Sequence, residues 1–279
     1  MGPQRKATDP VAEDAPARLR VLLGDGGTPT AQELADRLVL TREGDAPAQR
    51  PYLLLNMIAT ADGRATIGGR SGPLGNRADR ELFHALRTVV DAVMVGAGTV
   101  RAERYGPLVR RPEQRRARVE RGLRERPLAC IVSGRLALAP DIPLLADSQS
   151  HVAIITPASA SLPKAAARVD YVRAARGGEL DLRAAMAELR ARFGVRTLLC
   201  EGGPHLNAHL FEAGLVDELF LALSPKLAGG DPTTGEALRI VAGPALAERV
   251  ALRLIGLAEN ESFLFLRYGV CASASERAS

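Results

Sequence analysis

The sequence predicts an α/β domain on a mostly parallel sheet that finishes in antiparallel strands. Three observations carry this. Short continuous apolar runs recur, YLLLNMIA (52–59), DAVMVG (91–96), LACIVS (128–133), HVAIIT (151–156) and TLLCE (197–201), as strands buried on both faces require. Segments with apolar residues at helical spacing lie between several of them. The closing runs DELFLALSP, RVALRLIGL and ESFLFLRYG have no long helix between the last two, which suits antiparallel neighbours.

In chain order, residues 1–50 are rich in Ala, Pro, Gly and charge and read as a partly ordered N-terminal extension. Its one helical pattern, Ala31 to Leu40, follows a possible Thr30 cap. Pro47 and Pro51 mark the entry to a main domain over 51–270. A helix over 78–90 carries Leu82, Leu86, Val89 and Val90 on one stripe, and a second over 181–193 carries Leu182, Met186, Leu189 and Phe193. GGPHLNAHLFEAG reads as a loop and a helix ending at Gly214, and 271–279 as a frayed tail.

Composition narrows the function classes. Of 279 residues, 46% are hydrophobic and 25% charged, which excludes a wholly disordered chain. No apolar run is long enough to span a bilayer and the first residues lack an apolar signal core, so a cytoplasmic protein without a membrane partner is expected. The net charge of +5 is local, since ten Arg and four Glu fall between Arg101 and Arg126. That stretch is not interleaved with aromatics, so it reads as a solvated segment or the lip of an anionic-ligand site; nucleic-acid binding is the weaker option. Cys130, Cys200 and Cys271 form no CxxC pair, and Cys130 and Cys200 read as core. His205 and His209 have i, i+4 spacing but no third ligand, so no metal site is expected.

In such a layout ligands meet the C-terminal ends of the strands. Three exits stand out. After the first strand comes Ala59-Thr60-Ala61-Asp62-Gly63-Arg64, where Asp62 either faces a pocket or makes an ordinary Asp-Gly turn. After the second comes Gly96-Ala97-Gly98-Thr99, which lets a phosphate approach the backbone but lacks the third glycine of a dinucleotide fingerprint. After TLLC comes Glu201-Gly202-Gly203-Pro204-His205-Leu206, two glycines at a helix start with Pro204 suited to the first turn. Without a Walker A loop, two such glycine loops favour a dinucleotide over a nucleoside triphosphate.

The stretches NMIATADGRATIGGRSG, FHALRTVVDAVMVGAGTVRAE and LLCEGGPHLNAHLFEAGLVDELFLALSPKLAGG resemble the C-terminal reductase domain of the riboflavin-biosynthesis protein RibD, over roughly residues 52–270. The resemblance implies a dihydrofolate-reductase-like three-layer α/β/α fold, a homodimer, and NADPH-dependent reduction of 5-amino-6-(5-phosphoribosylamino)uracil to its ribitylamino product by hydride transfer to the ribosyl C1′. It puts Ala59 and Thr60 against the nicotinamide and Asp62 beside the reacting ring, with Asp62 and Thr60 as the catalytic candidates. Gly96, Gly98, Thr99 and Glu103 would hold the cofactor. Gly202, Gly203, Pro204, His205 and Leu206 would cradle its pyrophosphate, and Ser133 and Gly134 would lie near the adenosine. Ser71, Arg87, Leu108, Arg110 and Glu201 fall at substrate positions. Glu201 could accept from pyrimidine N–H groups, and Arg87, or Arg110 and Arg111, could bind the 5-phosphate. Arg135 is offered for the 2′-phosphate of the cofactor.

The chain departs from the pattern in four places. Thr60 replaces the usual Ser. Asn56 stands where bifunctional bacterial proteins carry Lys, as in free-standing archaeal-type reductases. RAERYGP replaces the acidic D-D-P segment. No HxE or PCxxC occurs, so zinc deamination is not expected. A reductase of the same fold acting on another substrate such as dihydrofolate, and a non-catalytic nucleotide-binding homologue, are the alternatives.

Overall fold

The apolar runs and helical stripes become, in chain order, β1 (Arg20–Leu23), α1 (Ala31–Leu40), β2 (Tyr52–Thr60), α2 (Arg77–Leu86), β3 (Ala92–Gly96), α3 (Ala97–Ala102), α4 (Pro112–Glu120), β4 (Leu128–Val132), α5 (Pro143–Ala146), β5 (His151–Thr156), β6 (Arg168–Arg173), β7 (Ala175–Arg176), β8 (Glu179–Leu180), α6 (Leu182–Phe193), β9 (Thr197–Cys200), α7 (Pro204–Glu212), β10 (Glu218–Ser224), β11 (Leu252–Asn260) and β12 (Phe263–Val270). This is a computed structural model, and it describes residues 15–40, 47, 49–230 and 238–271.

Ten strands form one sheet in the order β1-β11-β12-β10-β2-β9-β3-β4-β5-β6. From β10 to β6 every neighbouring pair is parallel; β10–β12, β12–β11 and β11–β1 are antiparallel. Successive side chains of a strand face opposite ways, so Leu54, Val93, Val95 and Ile131 enter one core while Leu53, Leu55, Met94 and Cys130 enter the other. The first core is covered by α1, α2, α3 and α5, through Ala35, Leu82, Leu86, Val100 and Leu144. The second is covered by α6 and α7, through Met186, Leu189, Leu206 and Leu210. The architecture is therefore the three-layer α/β/α sandwich that the family resemblance implies, on the mostly parallel sheet that the apolar runs imply.

Local chemistry fixes the helix ends. Asn76 caps α2 by accepting from the Asp79 amide at 2.9 Å, and Asp181 caps α6 through the Ala184 amide at 3.0 Å. Thr30 and Glu33 form a reciprocal capping box at α1, the Thr30 amide donating to Glu33 at 2.7 Å.

Three features were not foreseen. The described part of the N-terminal segment belongs to the fold: β1 pairs with β11, and Leu19, Ala31, Ala35 and Leu38 are buried with α2. The edge strand β6 alternates charge and apolar residues too unevenly to read as a strand. The basic stretch, read as a solvated segment or the lip of an anionic-ligand site, holds α4, whose Arg118 is fully buried. Its Nη1 donates to the carbonyls of Arg87 and Val90, each at 2.7 Å, and its Nε to that of Arg124 at 2.9 Å. Carbonyls left open where α2 unwinds attract a cation, and burial pulls this guanidinium down to about 10. The expectation for 271–279 falls, beyond Cys271, outside the described residues.

Candidate active site

A short central strand opens the site. β9 stops at Cys200, level with Leu55 of β2 and Met94 of β3. β2 runs on to Thr60, with β10 on its other side, and β3 runs on to Gly96, held by β4. A crevice is left between the last residues of β2 and the start of α3, floored by Glu201–Gly203. The helices that leave the neighbouring strands β3 and β9 pack on opposite faces, α3 in the first core and α7 in the second, so this is a topological switch point.

The two glycine loops are one surface. The Gly96 amide donates to the Gly202 carbonyl at 2.8 Å, and the Glu201 amide to that of Met94 at 2.9 Å. A Cβ added at Gly96 would sit 3.4 Å from the Gly203 nitrogen, and one at Gly203 only 2.6 Å from Thr99 Oγ1. Gly202 has a φ of +84° and is joined to Gly203 by a cis peptide. A Cβ at Gly98 would meet nothing within 4 Å. α7 begins at Pro204 with no side-chain cap, so its first amides point at the crevice mouth with the positive end of the helix dipole behind them. His205 is exposed and Leu206 buried. These residues fit a dinucleotide: bare backbone, free amides and room above Gly98. Ser133 and Gly134 follow β4 on the same edge, where the Ser133 hydroxyl accepts from the Leu136 amide at 3.0 Å and so caps its own loop.

At the β2 exit Ala59 and Thr60 are buried. The Thr60 hydroxyl accepts from the Arg64 amide at 2.8 Å and donates to Asp62. The exposed Asp62 carboxylate also accepts from the amides of Ala228 at 3.1 Å and Gly229 at 2.6 Å. The Thr60 hydroxyl, then the Gly229 amide, hold this carboxyl below its ordinary value.

The substrate candidates divide. Arg87 and Glu201 face each other in a buried ion pair, Nε to Oε1 at 2.6 Å and Nη2 to Oε2 at 2.8 Å, while Arg87 Nη1 donates to the Leu108 carbonyl at 3.0 Å. The Tyr105 hydroxyl donates to Glu201 Oε2 at 2.7 Å. Phe83 lies under the guanidinium, 4.2 Å from its centroid to Cζ. Arg87 and Glu201 are thus turned to each other, and Leu108 contributes its backbone. Burial, then the Glu201 charge, push the Tyr105 phenol well above the usual tyrosine value, so it stays a donor. Arg110 and Arg111 are exposed and can reach an anion. Both, with Arg87, stand near His84, whose imidazole is pulled down first by burial and then by Arg87. Glu103 accepts from the amide and hydroxyl of Ser71 at 2.8 and 3.0 Å, joining a cofactor candidate to a substrate candidate.

Sequence reasoning passed over Tyr105, Phe83 and Asn207. Only the RAERYGP departure pointed at Tyr105. Asn207 is buried in the first turns of α7; its Nδ2 donates to the Ile240 carbonyl at 2.7 Å and lies beside Met57 and Gly202, while its Oδ1 has no partner among the described residues. A separate cavity of about 330 Å³ lies at the opposite sheet edge, lined by Arg124, His151, Arg168, Asp170, Arg192 and Phe193. Its carboxylate is already met by His151, Arg168 and Arg192. Among the described residues no group of three His, Cys, Asp or Glu could hold a metal, and no helix is long and apolar enough to cross a membrane.

The family described as RibD C-terminal domain matches residues 51–257. A protein of Methanothermobacter thermautotrophicus named 2,5-diamino-6-ribosylamino-4(3H)-pyrimidinone 5′-phosphate reductase is 29% identical, over 74% of this chain and 90% of its own. One of the same name from Archaeoglobus fulgidus is 32% identical, over 65% and 83%. The fold of a pyrimidine reductase-like protein from Corynebacterium diphtheriae superposes with a TM-score of 0.65 at 24% identity, covering 86% of this chain and 99% of that one.

Proposed function

The chain belongs to the RibD C-terminal domain family, and from that premise we propose that it is an NADPH-dependent reductase of a 6-(5-phosphoribosylamino)pyrimidine in riboflavin biosynthesis. The observation that carries this is the contact between the Gly96–Thr99 and Gly202–Gly203 loops at the uncapped start of α7. Such a surface receives a pyrophosphate by backbone alone.

In this reading α7's first amides, Gly96, Gly98 and Thr99 hold the dinucleotide, Ala59 and Thr60 wall its reactive end, and Ser133 and Gly134 border the adenosine. The cofactor supplies a hydride. The chain's own contribution is to align and to dry the site. Hydride addition at C1′ breaks the C1′–O4′ bond, and the sugar oxygen takes a proton. The Arg87–Glu201–Tyr105 group forms a rigid polar wall, and Arg110 and Arg111 supply the free guanidinium groups for the 5-phosphate.

Two substrates differ at C2 of the ring, the uracil with an oxo group and the 2,5-diaminopyrimidinone with an amino group. Similarity to two reductases named for the diamino compound favours the amino form. The test is loss of dihydronicotinamide absorbance with purified protein and each pyrimidine in turn, with dihydrofolate as a third arm. Turnover of neither pyrimidine would overturn the reading.

A further inference from the structure

Asp62 ties down the described residues that follow β10. The Lys226 carbonyl accepts from the Ala61 amide at 2.9 Å, and Lys226 Nζ donates to the Pro73 carbonyl at 2.8 Å. The amides of Ala228 and Gly229 close on the Asp62 carboxylate, and Arg64 returns a bond to the Gly229 carbonyl. Further along, the Leu238 carbonyl accepts from Ala65 at 2.7 Å, Ile240 from Asn207 at 2.7 Å, and Ala242 donates to Pro204 at 3.1 Å. The described parts of the β10–β11 connection thus run from the β2 exit to the first turn of α7, the two sides between which the cofactor reading places the dinucleotide.

We propose that Asp62 is a positioning residue, a clasp that fixes residues 226–230 over the β2 exit and so pre-forms one wall of the dinucleotide crevice. Among the described residues its carboxylate accepts from Thr60, Ala228 and Gly229. A carboxylate bound this way is a poor proton donor, and ordering a wall in advance spares the ligand that cost on binding. The effect on binding rests on the dinucleotide reading; the clasp itself does not.

The test compares Asp62→Ala and Asp62→Asn with the parent protein. Asparagine keeps an acceptor for Gly229 while removing the charge. Amide hydrogen exchange at Ala228 and Gly229 should quicken at least about tenfold in the alanine variant. NADPH affinity should fall about tenfold in Asp62→Ala and return to within about threefold in Asp62→Asn. The shape of the rate–pH profile should be the same in Asp62→Asn as in the parent. Unchanged exchange in Asp62→Ala overturns the clasp. So does an Asp62→Asn protein that binds NADPH but has lost turnover, because the carboxylate would then act on the reacting atoms. If the parent binds no dinucleotide, the functional reading fails by itself, and faster exchange still upholds the clasp.

Discussion

Arg87 and Glu201 hold each other through two parallel N–H···O bonds at 2.6 and 2.8 Å, with the carboxylate 1% and the guanidinium 7% exposed. The pair joins the C-terminal end of α2 to the exit of β9. Breaking a buried pair from one side leaves an uncompensated charge, which costs more than the pair contributes. Glu201→Gln is therefore expected to lower stability by about 3 kcal/mol, and Arg87→Met by a similar amount. The double variant should lose clearly less than the sum. Denaturant titration of all four proteins in a double-mutant cycle checks this, and additive losses would show that the two residues do not depend on each other.

Tyr105 supplies the third bond to that carboxylate. Tyr105→Phe keeps the ring beside Arg87 but removes the donor, so a loss of about 1.5–3 kcal/mol is expected, as for a hydrogen bond to a charged group. If Glu201 faces the substrate, as the proposed function has it, KM for the pyrimidine should rise while NADPH affinity stays within about twofold. Steady-state kinetics and a direct cofactor titration separate the two effects. An equal loss of both affinities would place Tyr105 in general packing.

The strands buried on both faces were legible because their apolar runs allow no other environment, and β2, β3, β4, β5 and β9 lie within a residue or two of their apolar runs. The glycine loops were legible as strand exits. What the residues did not reveal is who partners whom at a distance. Arg87 and Glu201 are 114 positions apart, and no local pattern says that each takes the other before any ligand. Arg118 looked like one more solvated arginine until the unwinding end of α2 supplied its carbonyls. β1 was hidden because a short edge strand with exposed residues carries no periodic signal.

Asp79 gives a pH dependence with a definite sign. It lies half-buried in the first turn of α2, against Gly75, and burial raises its carboxyl to about 6. A carboxyl with a raised folded-state value holds its proton more tightly folded than unfolded. Its contribution to stability therefore falls as pH rises from about 4 through about 6 and is fully unfavourable above that. Asp79→Asn should stabilise the protein by about 1–2 kcal/mol near pH 8, with the gain vanishing near about pH 4. Thermal melts of both proteins across that range check it, and a gain independent of pH would assign the effect to something other than ionisation.

Gly98 and Gly203 separate the space a ligand needs from the space the protein already uses. A side chain at Gly98 would enter open space, whereas one at Gly203 would lie 2.6 Å from Thr99 Oγ1. Gly98→Ala should leave stability unchanged or raise it by up to about 1 kcal/mol, since alanine is the better helix former in α3. It should nevertheless weaken NADPH binding at least about tenfold, because the methyl group occupies the approach to the pyrophosphate. Gly203→Ala should lose both stability and affinity, the first through Thr99 and the second through the ligand. Adding Thr99→Ala to Gly203→Ala removes the clashing oxygen, so stability should recover while affinity does not. Calorimetric titration and thermal melts on the parent and the three variants decide the matter. If the second substitution restored cofactor affinity along with stability, the glycine would be there for Thr99, and the pyrophosphate would have to bind elsewhere.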